Sequence, residues 1–407
     1  MLLEHLKTKL DAIEARGQYR VQCVTQTPTA PQQTLTGPDG SPQARLMFCS
    51  NDYLGLASHS ALAVALAEGA QRWAGGAGAS HLVSGHTGAH EELARTLAQW
   101  FEPHVPQAKC LGFSTGYMAN LAVIATLGDA DTDMFSDALN HASLIDGMRL
   151  AKASVQRYAH VDMAALRAQL MLSRAKVKLI VSDTVFSMDG DLAPVPELLR
   201  LAEEFDAWLI LDDAHGFGVL GQRGRGTLEH FGLASERIIL LGTLGKAAGL
   251  SGAFVVAHER IIAYLLQAAR PYIFTTASLP AVNHALLTSL GLIEGDSGQH
   301  RRSRLQALQQ QFRAGVEALL RQYPTLPWRL LASITPIQAL VVGRNEDVMA
   351  LSKALDEVGL RVPGIRPPTV AEGQARLRIT LCATHTAADV ARLLQALFML
   401  ASTQVGL

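Results

Sequence analysis

The stretch RIILLGTLGKAAGLSGAFVV, residues 237–256, decides the fold. Two apolar runs, IILL and AFVV, flank a loop of Gly, Ala, Thr, Leu and Ser that holds one cation, Lys246, and no acidic residue. Continuous apolar runs, unlike alternating ones, belong to strands covered on both faces, so the loop joins two buried strands. A lysine placed there is costly in its charged form. Its pKa falls and its amine becomes a usable nucleophile. A surface lysine on a Gly-rich loop is the plain alternative, and the buried flanks weigh against it.

Outward from this loop, short apolar runs alternate with helix-period stretches from about residue 105 to 290. KCLGFST leads into GYMANLAVIATL, KVKLIVSD is followed by PVPELLRLAEEF, and AWLILDDA precedes RIILLGT. This order predicts an α/β domain with a mostly parallel sheet flanked by helices, its ligands at the carboxyl ends of the strands. The last part differs. IQALVVG reads as a strand and NEDVMALSKALDEVGL as a helix with Val348, Leu351, Leu355 and Val358 on one face. ARLRITL alternates like a half-exposed strand, and THTAADVARLLQALFML is a closing amphipathic helix capped by Thr386. The chain is therefore divided into an N-terminal helix and arm (1–50), a large domain (51–290) and a smaller α+β domain (291–407). The boundary falls in the helical, charged stretch around 285–320.

The 407 residues are 49% hydrophobic and 17% charged, enough to bury two cores, and disorder is disfavoured. A net charge of −1 gives no electrostatic reason to expect nucleic acid or an anionic membrane as partner. The start, MLLEHLKTKLDAIEARGQYR, carries Leu3, Leu6, Leu10 and Ile13 as a helical stripe between charges of both signs, unlike a secretory leader. The apolar runs are far shorter than a membrane span. Cys23, Cys49, Cys110 and Cys382 are scattered, as reduced thiols are, so a cytoplasmic enzyme is expected, with no metal site.

Two further stretches carry chemistry. In WLILDDAHGFG (208–218) an apolar strand ends in Asp212 and Asp213, with His215 following, where an α/β sheet binds ligands. Either aspartate is a candidate anchor for a cationic group. In GFSTGYMAN (112–120) a strand feeds a Ser-Thr-Gly turn and a helix, whose free N–H groups make a phosphate site. No dinucleotide fingerprint and no P-loop occur, which disfavours nicotinamide and nucleoside-triphosphate enzymes. A phosphate cradle, an aspartate for a pyridinium nitrogen and a buried lysine for an aldehyde are together what pyridoxal 5'-phosphate requires.

NDYLGLASH, SHLVSGH, SDTVFSMDGDLAPVPEL, LDDAHGFGVLG, GTLGKAAGLSGAF and GIRPPTV, in this order over nearly the whole chain, resemble the α-oxoamine synthase family of fold-type I pyridoxal-phosphate enzymes. The resemblance implies that Lys246 forms the Schiff base and later takes the amino acid's α-proton. It implies Asp212 on the pyridine nitrogen, His215 and Ser187 near the phenolic oxygen, and His141 on the ring face. Gly116, Tyr117 and Thr243 would lie at the phosphate, with Thr275 and Thr276 reaching it from a partner subunit. Arg366 would grip the substrate carboxylate, with Arg20, Asn51 and Thr369 also contacting substrate. Phe217 and Ala248 depart from the family's usual residues and bear on pocket shape. The resemblance further implies a homodimer that joins an amino acid to an acyl thioester. SHLVSGH and IRPPTVAEGQARLRITL favour the member that condenses L-alanine with pimeloyl-CoA or a pimeloyl-acyl carrier protein. The alternatives are a member using glycine and acetyl-coenzyme A, or a pyridoxal-phosphate carrier without synthase activity.

Overall fold

The computed structural model describes residues 1–16, 18–37 and 40–405. Its strands in chain order are β1 Gln32–Thr36, β2 Pro42–Met47, β3 Ala108–Phe113, β4 Thr132–Asp137, β5 Ser154–Tyr158, β6 Val177–Asp183 and β7 Trp208–Asp212. There follow β8 Ile238–Thr243, β9 Ala253–His258, β10 Arg329–Leu330, β11 Ile337–Gly343, β12 Leu360–Arg361, β13 Gly364–Ile365 and β14 Ala375–Thr380. β3 to β9 build a seven-stranded sheet in the order β3-β9-β8-β7-β6-β4-β5. Only β9 runs against its neighbours, β3 and β8; the remaining pairs are parallel.

Both faces of this sheet are covered, as the continuous apolar runs require. Leu209, Leu211 and Leu240 point into one core cluster. Ile210, Ile239 and Leu241, their alternate neighbours, point into a second. Because the strands are parallel, their carboxyl ends converge on one edge, and that edge is polar. Asp137, Asp183, Asp212 and Thr243 are the last residues of β4, β6, β7 and β8.

The C-terminal unit is a four-stranded antiparallel sheet, β10-β11-β14-β13, with helices Asn345–Glu357 and Ala387–Val405. Thr386 does cap the last helix: its hydroxyl accepts from Asp389 N at 3.1 Å, and Asp389 accepts in return from Thr386 N at 2.7 Å. The hairpin of β1 and β2 is extended by β12, parallel to β2, so the N-terminal segment is built onto the far end of the chain.

Two local expectations are corrected. β14 is not half-exposed: all six of its residues are buried. The alternate positions that read as solvent-facing are Arg376 and Arg378, and they face the loop after β6 instead of water. Val358 does not share the buried face of Val348, Leu351 and Leu355; the helix stops at Glu357 and Val358 is exposed. The stripe of Leu3, Leu6 and Leu10 lies on a helix, Leu2–Ala15, that buries no residue against this chain. No helix among the described residues is long and apolar enough to cross a membrane.

Candidate active site

Lys246 sits in the loop that joins β8 to β9 at the polar edge of the sheet. The loop is pinned by Gly249, whose φ of 71° suits glycine and whose Cβ, if present, would stand 2.6 Å from Ala57 N. Burial lowers the Lys246 pKa to about 8, against the opposing pull of Asp212 and Asp183 and with help from the Arg378 charge. Its Nζ lies 2.8 Å from His215 Nε2. Burial and the Lys246 charge hold His215 well below the usual imidazole range, so the ring stays neutral with one N–H.

That one proton gives the cluster two settings. His215 Nδ1 is 2.5 Å from Tyr53 Oη, and Tyr53 Oη is 3.2 Å from Asn51 Oδ1. With Nδ1–H donating to Tyr53, the phenol donates to Asn51 and Nε2 accepts from Lys246. With the phenol donating to Nδ1, Nε2–H points at the Lys246 amine. Arg378 Nη2 donates to Asn51 Oδ1 at 3.3 Å in either setting. The amine therefore faces a neutral ring that can accept or donate a hydrogen bond without moving.

The two adjacent aspartates have opposite surroundings. Asp213 is enclosed by Thr184 Oγ1, Thr227 Oγ1 and Thr227 N, and burial raises its pKa to about 6. It is a structural carboxylate that closes the turn. Asp212 accepts from Asn120 Nδ2 at 2.6 Å and from Ala214 N at 2.9 Å, and it interacts electrostatically with Lys246 and His141. Asn120 Nδ2 also reaches Ser143 Oγ at 2.8 Å, and Ser143 Oγ is 2.7 Å from His141 Nδ1. His141 caps the helix Ala142–Leu150, and Asp183 Oδ2 fixes it by accepting from His141 N at 2.6 Å. Burial lowers the His141 pKa and raises that of Asp183, which Asp212 raises further.

The predicted cradle lies at the start of helix Gly116–Leu127. Thr115 caps it, accepting from Met118 N at 3.2 Å. The N–H groups of Gly116 and Tyr117 have no partner among the described residues. A Cβ on Gly116 would point at Thr243, 3.9 Å from its Cβ, so the missing side chain leaves room between helix and strand. The Tyr117 hydroxyl turns to Asp146 and contributes nothing further to the cradle.

The other expected residues divide into groups. Ser187 joins through its carbonyl, which accepts from Arg378 Nε at 2.6 Å; Asn51 joins through Tyr53 and Arg378. Arg366 and Thr369 belong to one turn, Thr369 N donating to Arg366 O at 3.1 Å, while Arg20 lies on the exposed N-terminal arm. Gln18 Nε2 donates to Pro367 O at 3.3 Å, bringing the N-terminal arm to the Arg366–Thr369 turn. Arg366 contacts Met349 Sδ at 2.7 Å. Thr275 and Thr276 stand beside Ser80, which bridges to Thr276. Phe217 packs among Trp100, Phe101 and Phe254, and Ala248 is buried with its carbonyl on Ser289, so both belong to the core.

Asn120, Tyr53, Ser143, Asp183 and Arg378 are among the members that sequence reasoning missed. Asn120 carried a signal: it is the lone amide in the otherwise apolar helix LAVIATL-side of GYMAN, one turn after Gly116. Arg378 carried none, because only the three-dimensional packing of β14 brings it to the crevice.

The residues present suit pyridoxal phosphate. Two unpartnered N–H groups beside Thr243 Oγ1 match a phosphate. Buried Asn120 Oδ1 has no partner, and Asp212 beside it is a carboxylate for a ring nitrogen. The exposed imidazole of His141 interacts electrostatically with both Asp212 and Lys246.

Comparison with known proteins agrees. Residues 45–397 match the family model for aminotransferase class I and II. An 8-amino-7-oxononanoate synthase of Leptothrix cholodnii is 58% identical, over 98% of each chain. One from Cupriavidus metallidurans is also 58% identical, over 97% of each. Among solved structures, the serine palmitoyltransferase of S. paucimobilis with bound pyridoxal phosphate and myriocin superposes with a TM-score of 0.87, at 28% identity over 99% of this chain and 98% of that one. The 8-amino-7-oxononanoate synthase of Francisella tularensis does so with a TM-score of 0.75, at 29% identity over 89% of this chain and 99% of that one.

Proposed function

The chain belongs to the aminotransferase class I and II family, and from that premise we propose that it catalyses the 8-amino-7-oxononanoate synthase reaction of biotin biosynthesis. L-Alanine and a pimeloyl thioester give 8-amino-7-oxononanoate, carbon dioxide and the free thiol. The observation that carries the reading is Lys246: an enclosed amine with its pKa lowered to about 8, at hydrogen-bond distance from neutral His215 and facing Asp212.

Pyridoxal phosphate supplies the electron sink that stabilises a carbanion at the amino acid's α-carbon. The Gly116 and Tyr117 N–H groups with Thr243 would hold its phosphate, Asp212 its ring nitrogen, His141 its face and Lys246 its aldehyde. The Lys246 amine is close to half neutral near pH 8 and would take the amino acid's α-proton at Nζ. His215 hydrogen-bonds that nitrogen and stays uncharged, so it adds no repulsion while the proton is held. Asn120 keeps Asp212 and His141 in register through Ser143. Arg366, Arg20, Asn51 and Thr369 receive the substrates.

The same reading includes a homodimer and the division at residues 50 and 290. Leu82, Val83, Phe274 and Leu279 are exposed on two segments that pair at Ser80 and Thr276, an apolar face suited to a second copy. Thr275 and Thr276 then face the partner's phosphate. The cytoplasm is the compartment that matches an enzyme with four free cysteines.

The test is product formation by the purified protein with pyridoxal phosphate. L-Alanine with pimeloyl-coenzyme A yields 8-amino-7-oxononanoate by mass spectrometry. Turnover only with glycine and acetyl-coenzyme A moves the assignment to the glycine-using member.

A further inference from the structure

A dense group of titratable side chains outside the Lys246 cluster centres on His160. His160, two residues beyond β5, places Nδ1 3.1 Å from Asp137 Oδ1 and Nε2 2.9 Å from Asp191 Oδ2. Both ring nitrogens therefore face carboxylates, and the ring is edge-on to Phe186 with centroids 4.4 Å apart. Burial opposes the charge, but the hydrogen bonds to Asp137 and Asp191 outweigh it and push the imidazole up to about 10. The ring is an imidazolium at neutral pH. Its position is fixed from behind: Val161, at a φ of 50° that a β-branched residue avoids, is held there by its N–H donating to Asp137 Oδ2 at 2.9 Å.

The side that His160 grips is a loop. Val185 and Leu192 bridge to close the segment 185–192, which leaves β6 and returns toward the helix at Val195. The other oxygen of Asp191, Oδ1, is buried with no partner, so the imidazolium is what neutralises that carboxylate. On its far side the loop docks onto the C-terminal unit. Asp189 pairs with Arg376, Gly190 O accepts from Ser333 and Thr335, and Ser187 O accepts from Arg378 Nε. The fit at Gly190 is close: a Cβ there would stand 2.2 Å from Ile337 O. Arg378 in turn reaches Asn51, and its charge acts on Lys246 and His215. Here both His160 nitrogens and Asp189 are engaged in hydrogen bonds to protein groups.

We propose that His160 is a positioning residue for the reaction: by bridging Asp137 and Asp191 it holds the loop 185–192 against β14, and through Ser187 O it keeps Arg378 aimed at the Lys246 side of the crevice. The inference rests on the proposed chemistry at Lys246. It makes His160, which touches neither substrate nor cofactor, a determinant of the proton affinity at the Lys246 nitrogen. Without the clamp, the half-buried Asp191 carboxylate, with its Oδ1 enclosed, is uncompensated, the loop shifts, and Arg378 loses its acceptor on Ser187.

The test compares wild-type holoenzyme with His160→Gln, and with Asp191→Asn, which opens the clamp without stranding a charge. The visible band of the bound cofactor is titrated with pH, and KM and kcat for L-alanine are measured beside the melting temperature. Arg378 disfavours a proton at the Lys246 nitrogen, so loosening it raises the spectral midpoint, by about half a pH unit in both variants. KM rises about fivefold, the affinity cost of about 1 kcal/mol of lost alignment. In an Arg378→Gln background, His160→Gln adds no further shift. A lowered melting temperature with an unmoved midpoint overturns the proposal, as does an equal shift in the Arg378→Gln background. The wild-type titration alone reports on the cofactor reading, and the differences between proteins report on His160.

Discussion

The crevice is made by two regions of different kind. The carboxyl ends of β6, β7 and β8 bring Asp183, Asp212, Thr243 and Lys246 from one stretch of local motifs in the large sheet. β14 brings Arg376 and Arg378 from the other end of the chain, onto a loop of that sheet. In the first region function follows from a rule about strand ends. In the second, polar residues on an apparently solvent-facing side are buried because another part of the chain covers them. A period of two shows which residues share a face, and says nothing about what lies against it.

The comparison breaks most visibly at Lys246. Lys246→Ala removes both the proposed attachment point and the proposed proton acceptor, and is expected to lower kcat on the order of 10⁴-fold with the fold intact, measured by steady-state assay and circular dichroism. The paired aspartates sharpen it next. Asp212→Asn is expected to cost on the order of 10³-fold in kcat with little change in melting temperature. Asp213→Asn, in its cage of threonines, instead costs about 1–3 kcal/mol of stability. Exchanged outcomes would reverse their roles.

Arg378→Met tests the second region directly. It is expected to reduce kcat/KM for L-alanine on the order of 10²-fold, since Asn51 and Ser187 lose their shared donor. An effect on stability alone would make β14 mere scaffold.

A pH experiment on the apoprotein checks the enclosed amine. The folded Lys246 pKa, about 8, lies below its unfolded value of 10.5, so the unfolded chain binds more protons between them. Stability contributed at this site therefore rises with pH from 8 to 10.5 and is absent below 8. Denaturant unfolding should show Lys246→Met more stable than wild type at pH 7, by about 2–3 kcal/mol, with the gap closing toward pH 10.5. A gap that is constant with pH would mean an amine in ordinary solvent. The smallest effect is expected at Tyr53. Tyr53→Phe removes one link to His215 and should slow kcat about threefold to tenfold, the loss of one buried hydrogen bond.

How much was legible in the sequence follows the same division. The large sheet, its strand ends and the lysine loop were readable because continuous apolar runs and Gly-rich turns are local signals. Asp212, Asp213 and His215 came with them, and Thr243 came with the family resemblance. Asn120 was readable in principle, as an amide inside an apolar helix. Arg378 and His160 were not, because their partners lie 327 residues away at Asn51 for the one, and 23 and 31 residues away at Asp137 and Asp191 for the other. The residues by themselves left Asp212 and Asp213 open and the family resemblance named Asp212; the differing neighbours of the two carboxylates give the physical contrast between them.

The account stands on one lysine. The holoenzyme, reduced with borohydride after loading with pyridoxal phosphate and then digested, reports where the cofactor was attached. Mass spectrometry should find the phosphopyridoxyl group on the peptide containing Lys246, and none in Lys246→Ala. Attachment at another lysine, or equal labelling of the variant, would contradict the account.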